Sequence, residues 1–390
     1  MPMNGEQLYG LKRLLTTLRM GMHPRVRGLP LRQKLALNYA SGKSKMTRID
    51  GRIFSNTFTP YYPSTAYDRY LDAVIRVGRG EPVPVITNFA VTPRCPCSCW
   101  HCSFAHRAES ELGLDTLSEA ISGVQELGTS VIGLTGGEPL LRDDLEEIIH
   151  SIGDRSMPLL FTTGHRLSRE RVRALAVAGL GIPVISLDHY RAEVHDRRRG
   201  REGVHAGAVR AIELFREEGF YVAVSFVPDR ELIRNPPELE RTLTFFRELG
   251  VNDMRLTSPI LSGHLTARHD TLLSRDDVRA VWEIQERLIR TPGEPGVFAY
   301  DYFEHEQLYG CGAGYNYLFI DAEGNACPCD FAMLSFGNIK TRAIADIWRD
   351  TSTRFRAPGR TCYANVISNS IAACDSTRRP LDPEHSQAII

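Results

Sequence analysis

The sequence predicts an α/β fold: a partial, TIM-like (β/α)6 barrel, preceded by a helical and irregular extension and followed by a small α+β domain. Two observations carry this. From Val83 onward, apolar strand-like runs alternate with helix-period segments six times in about 210 residues, a rhythm that makes a parallel sheet covered by helices. A closed TIM barrel needs eight such units, so six leave it open. Beyond Thr291 the rhythm gives way to Pro292-Gly293-Glu294-Pro295-Gly296, a boundary by composition. The expected organisation is therefore an extension over 1–83, a barrel over 84–292, a C-terminal domain over 293–375 and a tail over 376–390.

Taken in order, residues 8–22 set Leu8, Leu11, Leu15, Leu18 and Met22 at helical spacing, with Lys12, Arg13 and Arg19 on other faces. Such a basic amphipathic helix either docks on a membrane surface or a partner, or packs on the main domain. Residues 23–66, rich in Pro, Gly, Ser and Tyr, read as largely irregular, and Tyr67 to Val77 as a helix. Strands are then expected near 85–91, 131–135, 158–162, 183–187, 221–227 and 254–257. Helices are expected near 116–127, 143–152, 168–179, 205–218, 237–248 and 275–290.

At 390 residues, 42% hydrophobic and 24% charged, the chain can bury a large core. It has no apolar run of membrane-spanning length and no signal-peptide pattern, so a cytoplasmic protein is expected, with residues 1–22 as the segment that would touch a membrane from outside. Net charge is zero, yet the first sixty residues hold eleven Lys/Arg against two acids, Glu6 and Asp50. That basic stretch lacks the aromatic-interleaved module of a nucleic-acid binder, and no nucleic-acid partner is expected. Nine cysteines fall in two groups, four near residue 100 and five from 311 to 374, which argues for metal ligation over a disulfide framework.

The densest group is Cys95-Pro96-Cys97-Ser98-Cys99-Trp100-His101-Cys102, directly after the first strand. Cys95, Cys99 and Cys102 give C-x3-C-x2-C, three thiolate donors on one loop with no obvious fourth, which leaves one iron of a [4Fe–4S] cluster open. Structural zinc favours paired knuckles separated by a longer span, so this crowding points away from it. Cys97 is an additional thiol inside the pattern and is not counted as a ligand.

This spacing resembles the radical S-adenosylmethionine (SAM) superfamily, in which the open iron is chelated by SAM and SAM is reductively cleaved to a 5′-deoxyadenosyl radical. The second strand ends in Gly136-Gly137-Glu138-Pro139, similar to the family's GGEP motif, which contacts the methionine amino group. By the same resemblance, Ser186 and Asp188 at the end of the fourth strand lie near the SAM ribose, and Arg199 is a candidate for its carboxylate; a structural Asp188–Arg199 pair is the competing reading. His195 reads as structural. Ser225, ending the fifth strand, has the location for SAM contact without a motif.

Past the barrel, Cys311 precedes an alternating run, Tyr317 to Ile320, that enters Asp321-Ala322-Glu323-Gly324-Asn325 and reads as a hairpin. Cys327 and Cys329 follow it, then Gly337-Asn338-Ile339 and a helix near 342–350. This resembles the SPASM/twitch auxiliary-cluster domains. Five cysteines suit one cluster, with Cys311, Cys327 and Cys329 as ligands and the fourth from Cys362 or Cys374, of which Cys362 is taken. The resemblance implies two [4Fe–4S] clusters, SAM, and an external electron donor such as flavodoxin or ferredoxin. It also implies hydrogen abstraction from a peptide or small-molecule natural product, the runner-up being a lipid or isoprenoid-like substrate at a membrane surface. No catalytic proton or hydrogen donor is assigned.

Overall fold

The computed structural model describes residues 4–30, 34, 42–105, 108–305, 308–374 and 379–389. Seven parallel strands form the body of one sheet: β1 (Ile86–Thr92), β2 (Val131–Gly136), β3 (Met157–Thr162), β4 (Ile182–Ser186), β5 (Ala223–Phe226), β6 (Asp253–Leu256) and β7 (Gly296–Ala299). Two more, β8 (Tyr317–Ile320) and β9 (Ala326–Cys327), complete the order β7-β6-β5-β4-β3-β2-β1-β8-β9. All six strands expected from the sequence form. The seventh was missed because four residues starting at a glycine, directly after a turn, carry too little pattern to register.

Period-two alternation sorts the sheet's side chains into two layers. Ile132, Leu134, Leu160, Ile185 and Val224 join the outer core with the covering helices. Val131, Met157, Leu159, Ile182, Val184 and Ala223 point the other way and share a separate inner core with Phe54 and Tyr221. Phe54 comes from the N-terminal extension, and its ring stacks on Tyr221 with centroids 4.9 Å apart.

The extension is more ordered than its composition suggests. Glu6–Gln7, Thr47–Ile49 and Arg52–Phe54 form a small antiparallel sheet. Helix α1 (Gly10–Gly21) and helix α2 (Thr65–Val77) flank it; the expected helix start at Leu8 is corrected, because Leu8 lies before α1 and is buried, its N–H donating to Met46 O. The segment after Phe54 enters the barrel, where Phe58 meets Phe298 at 4.2 Å between centroids.

Beyond the seventh strand, β8 runs parallel to β1 and pairs Tyr317 with Ile86 through Ile320 with Phe89. It turns back into β9 through a loop held by Asp321, whose carboxylate accepts from the backbone N–H of Glu323 and Asn325. The expected hairpin is thus present and continues the barrel's own sheet. Helix α3 (Leu114–Leu127) packs against helix α4 (Ile344–Arg354) of the C-terminal segment, and helix α5 (Tyr363–Ala373) follows.

Replacing Phe54 by Ala should remove about 3–5 kcal/mol of stability, the usual cost of emptying a buried aromatic site. The check is a lower urea midpoint measured anaerobically on the reconstituted protein; an unchanged midpoint would mean that the extension does not close the barrel.

Candidate active site

The cysteine loop leaves the C-terminal end of β1, the end at which barrel chemistry gathers. Its backbone is gripped from three sides. Ser98 and Trp100 N–H donate to Arg199 O and Arg198 O at 2.9 and 3.1 Å. His264 takes Cys102 O on its backbone N–H at 3.1 Å and lies 2.8 Å from Cys99 O through Nδ1. Gly137 and Glu138 N–H donate to Thr92 O and Arg94 O at 2.7 and 2.8 Å. The glycines are needed for this last contact: a Cβ on Gly137 would fall 2.1 Å from Arg94 O, and Gly136 has φ +116°. Here the close approach that two glycines permit is made to the cysteine loop itself.

Four thiols share that loop, and none of the chain's nine cysteines is in a disulfide. The Cys97 thiol hydrogen-bonds to Cys95 and Cys99, lowering both. Cys99 reaches about 6, with Arg199 adding to the effect of Cys97, whereas burial and then the Cys99 charge push Cys102 up to about 11. Beside Cys99 and Cys102, the buried ring nitrogens Trp100 Nε1 and His101 Nδ1 have no hydrogen-bond partner among the described residues. Three thiols on one short loop, a guanidinium at their back and unmatched polar atoms between them suit a group of several metal atoms carrying sulfur.

Behind the loop, Asp188 and Arg199 form a buried ion pair, Oδ2 to Nε 2.7 Å, and Arg199 Nη1 is 3.8 Å from Cys99 Sγ. Burial opposes the Asp188 charge, but Arg199, helped by His101, His195 and the Val227 N–H, outweighs it and holds the carboxyl at about 2. Asp188 also accepts from Val227 N–H at 3.1 Å, and its own N–H donates to His195 Nδ1. Burial keeps His195 and His101 at about 4, so both rings stay neutral at pH 7.

Glu138 is fully buried, and its carboxylate accepts from Leu140 N–H, Thr163 N–H and the hydroxyls of Thr162 and Thr163. It braces β2 against β3. Burial raises its pKa, and these bonds work against that rise. Ser186 and Ser225 are register partners at the ends of β4 and β5 and are half-buried.

In the C-terminal part, Cys311, Cys329 and Cys362 converge. Burial raises all three, and the proximity of Cys311 adds to the rise of the other two. Cys362 occupies the N-cap of α5, where the helix dipole favours a thiolate. Cys374 ends the same helix, so at 1.5 Å per residue it lies about 18 Å from Cys362. Cys327 packs with Ala90, Phe319 and Ala322, a different group of side chains.

A cavity of about 840 Å³ opens onto Cys311, Cys329 and Cys362, with Glu304 and Asp330 beside them. Tyr317 OH donates to Asp330 at 2.6 Å, and Asn88 Nδ2 reaches both. Burial, then Asp301 and Asp330, push Glu304 up to about 8. Deeper in the barrel, Arg255 lies over the rings of Phe58, Phe161 and Tyr300 at 4.3, 4.7 and 5.4 Å and donates to Thr57 Oγ1. Sequence reasoning passed over this polar array. An arginine inside an apolar strand and an aspartate directly after a cysteine were the available signals.

Cys362→Ala should lose the C-terminal cluster, leaving about four irons of about eight, while Cys374→Ala should retain about eight. Iron and sulfide analysis reads both, and loss on Cys374→Ala with retention on Cys362→Ala would reverse the assignment.

Comparison with known proteins fits this geometry. Residues 89–254 match the radical SAM superfamily, and residues 311–375 match the SPASM iron–sulfur cluster-binding domain. The PqqA peptide cyclase of Gluconobacter oxydans is 28% identical over 68% of this chain and 77% of its own. The AdoMet-dependent heme synthase of Methanosarcina barkeri is 26% identical over 68% and 82%. Among solved structures, Streptococcus suis SuiB bound to S-adenosylmethionine superposes with a TM-score of 0.61 at 14% identity, covering 77% of this chain and 78% of SuiB. SuiB has also been solved with its precursor peptide SuiA, at a TM-score of 0.59. With the three-cysteine loop at the end of the first barrel strand and a cysteine-bearing hairpin at the C-terminus, this chain carries a radical SAM superfamily domain over residues 89–254 and a C-terminal SPASM domain over residues 311–375.

Proposed function

We propose that this enzyme abstracts a hydrogen atom from an organic substrate seated in the cavity between the N-terminal extension and the C-terminal cysteines. The observation that carries the reading is the loop of Cys95, Cys99 and Cys102 held at the end of β1 against the Gly136-Gly137 turn. When bound there, a [4Fe–4S] cluster and SAM supply a 5′-deoxyadenosyl radical.

The chain's own residues then divide the work. Cys95, Cys99 and Cys102 hold the cluster. The Gly136–Glu138 turn, with Ser186 and Ser225 at neighbouring strand ends, borders the place for SAM. Asp188 and Arg199 fix the loop and set positive charge behind Cys99. Phe54 and Phe58 close the barrel against water from the extension side. Cys311, Cys329 and Cys362, with Cys327 as the further ligand taken from the sequence, would hold an auxiliary [4Fe–4S] cluster, which would supply a substrate-binding or electron-transfer site. An external donor such as flavodoxin or ferredoxin delivers the electron.

The named relatives support a peptide or small natural product as substrate, since one acts on the PqqA peptide and SuiB has been solved with a precursor peptide. One observation favours a second reading, a lipid or isoprenoid-like substrate: the cavity's walls are mainly apolar and continue to the leucine face of α1.

Anaerobic reconstitution should give about eight irons, and SAM with a strong reductant should yield 5′-deoxyadenosine. Replacing Cys95, Cys99 and Cys102 together by Ala should leave about four irons and no cleavage; cleavage by that variant would refute the assignment. Cys97→Ala is expected to keep both clusters and cleavage, and loss of a whole cluster would make Cys97 a ligand.

A further inference from the structure

The leucine face of α1 is not packed on the domain. Leu11, Leu14, Leu15, Leu18 and Met22 recur at i, i+3, i+4, i+7 and i+11 and are 69%, 54%, 57%, 53% and 68% exposed, whereas Thr16 on the opposite face is buried. A single contiguous stripe of this kind is uncommon on a folded surface and marks an interaction site. Leu14, Leu18 and Met22 also line the rim of the 840 Å³ cavity, so the stripe runs into it. Leu71, Val74 and Val77 of α2 and Phe298 continue the apolar wall inward. The floor is formed by Cys311, Cys329 and Cys362 with Asp330 and Glu304.

The charge around the rim decides which apolar surface fits. The extension's eleven basic residues stand against two acids. Much of this charge is met internally: Lys12 and Arg48 pair with Glu6, Arg25 with Asp68 and Asp72, and Lys43 with Glu286, while Arg13 donates to Ser44 O and the buried Lys45 to Thr291 O and Glu294 O. A basic excess remains, and an exposed apolar stripe flanked by Lys and Arg is the pattern of a helix lying in an anionic lipid interface. No helix among the described residues is long and apolar enough to cross a membrane, so contact through this helix is peripheral.

From this geometry we infer that α1 lays its leucine face on an anionic bilayer and that the cavity receives the hydrocarbon chain of a lipid drawn from it. This inference rests on the radical SAM reading above and names its substrate class. The cavity's volume lies within the usual range of pockets that enclose a ligand, and its lining changes from hydrocarbon to cysteines and carboxylates from rim to floor. The chain lies along the apolar wall of Leu71, Val74, Val77 and Phe298 and brings its end toward the cysteine floor, and the headgroup stays at the bilayer surface beside the extension's basic residues.

The test uses the reconstituted holoenzyme and vesicles of dioleoylphosphatidylglycerol or dioleoylphosphatidylcholine. The protein should co-sediment with phosphatidylglycerol vesicles at low salt, release at high salt and ignore phosphatidylcholine. Leu11→Glu with Leu15→Glu, both outside the cavity and exposed, should weaken binding at least about tenfold while circular dichroism stays unchanged. After re-isolation, mass spectrometry should find phosphatidylglycerol bound to the wild type. Val74→Trp in the wall and Leu18→Trp at the rim should each lose that lipid yet still co-sediment. Retention of lipid in both tryptophan variants would place the chain elsewhere and overturn the inference, as would failure of the wild type to bind anionic vesicles. In the latter case saturable binding of an apolar peptide would assign the cavity to a peptide. SAM cleavage in the same preparation separates the two readings: cleavage without vesicle or lipid binding defeats only this inference, and no cleavage defeats the function on which it rests.

Discussion

Everything at the active end of the barrel depends on how one eight-residue loop carrying four thiols is held. Thiolates crowded together repel each other, and a buried guanidinium at their back is the counter-charge the fold provides. Arg199 can stay buried and charged because Asp188, fully buried itself, lies 2.7 Å away. Such a pair is costly to desolvate, and removing one partner strands the other. Its value here is positional: the same turn that carries Arg199 also gives its backbone carbonyls to Ser98 and Trp100. The ion pair, the loop and the end of β4 are thereby one rigid unit.

The opposite wall of that unit is backbone against backbone. Gly136 and Gly137 bring β2 within direct hydrogen-bonding range of Thr92 and Arg94, and Glu138 then anchors β2 to the end of β3 through three of its four accepted hydrogen bonds. A buried carboxylate so fully satisfied is a strut between strands. Motif and architecture are therefore the same feature viewed at two scales: the glycines that a sequence reader associates with a ligand are spent on bringing the cysteine loop into place.

The C-terminal segment is joined to the barrel by the sheet. Because β8 extends β1 in parallel register, Cys311, Cys329 and Cys362 are fixed relative to the barrel by strand pairing, and the packing of α4 on α3 adds a second attachment. The N-terminal extension completes the enclosure from the other side, with Phe54 and Phe58 inside the barrel and α1 and α2 along the cavity wall. A chain whose two ends both wrap its barrel turns an open sheet into a walled site.

How much of this could be read from the residues follows from the range over which each signal acts. Strand and helix periodicity is local, and it placed six strands, their helices and the 317–327 hairpin. The three-cysteine spacing and Gly136-Gly137-Glu138 are also local, and their order along the chain identified the family. Contacts made across hundreds of residues left no local trace. Nothing near residue 54 says that its ring will stack on Tyr221, and nothing near residue 88 says that Asn88 will reach Tyr317 and Asp330. The leucines of α1 have one spacing whether they pack on the domain or face outward, so only tertiary structure settled their exposure. Likewise, sequence alone left Cys362 and Cys374 equivalent; an intervening helix, rigid at 1.5 Å per residue, carries Cys374 away from the other thiols while Cys362 stays beside them.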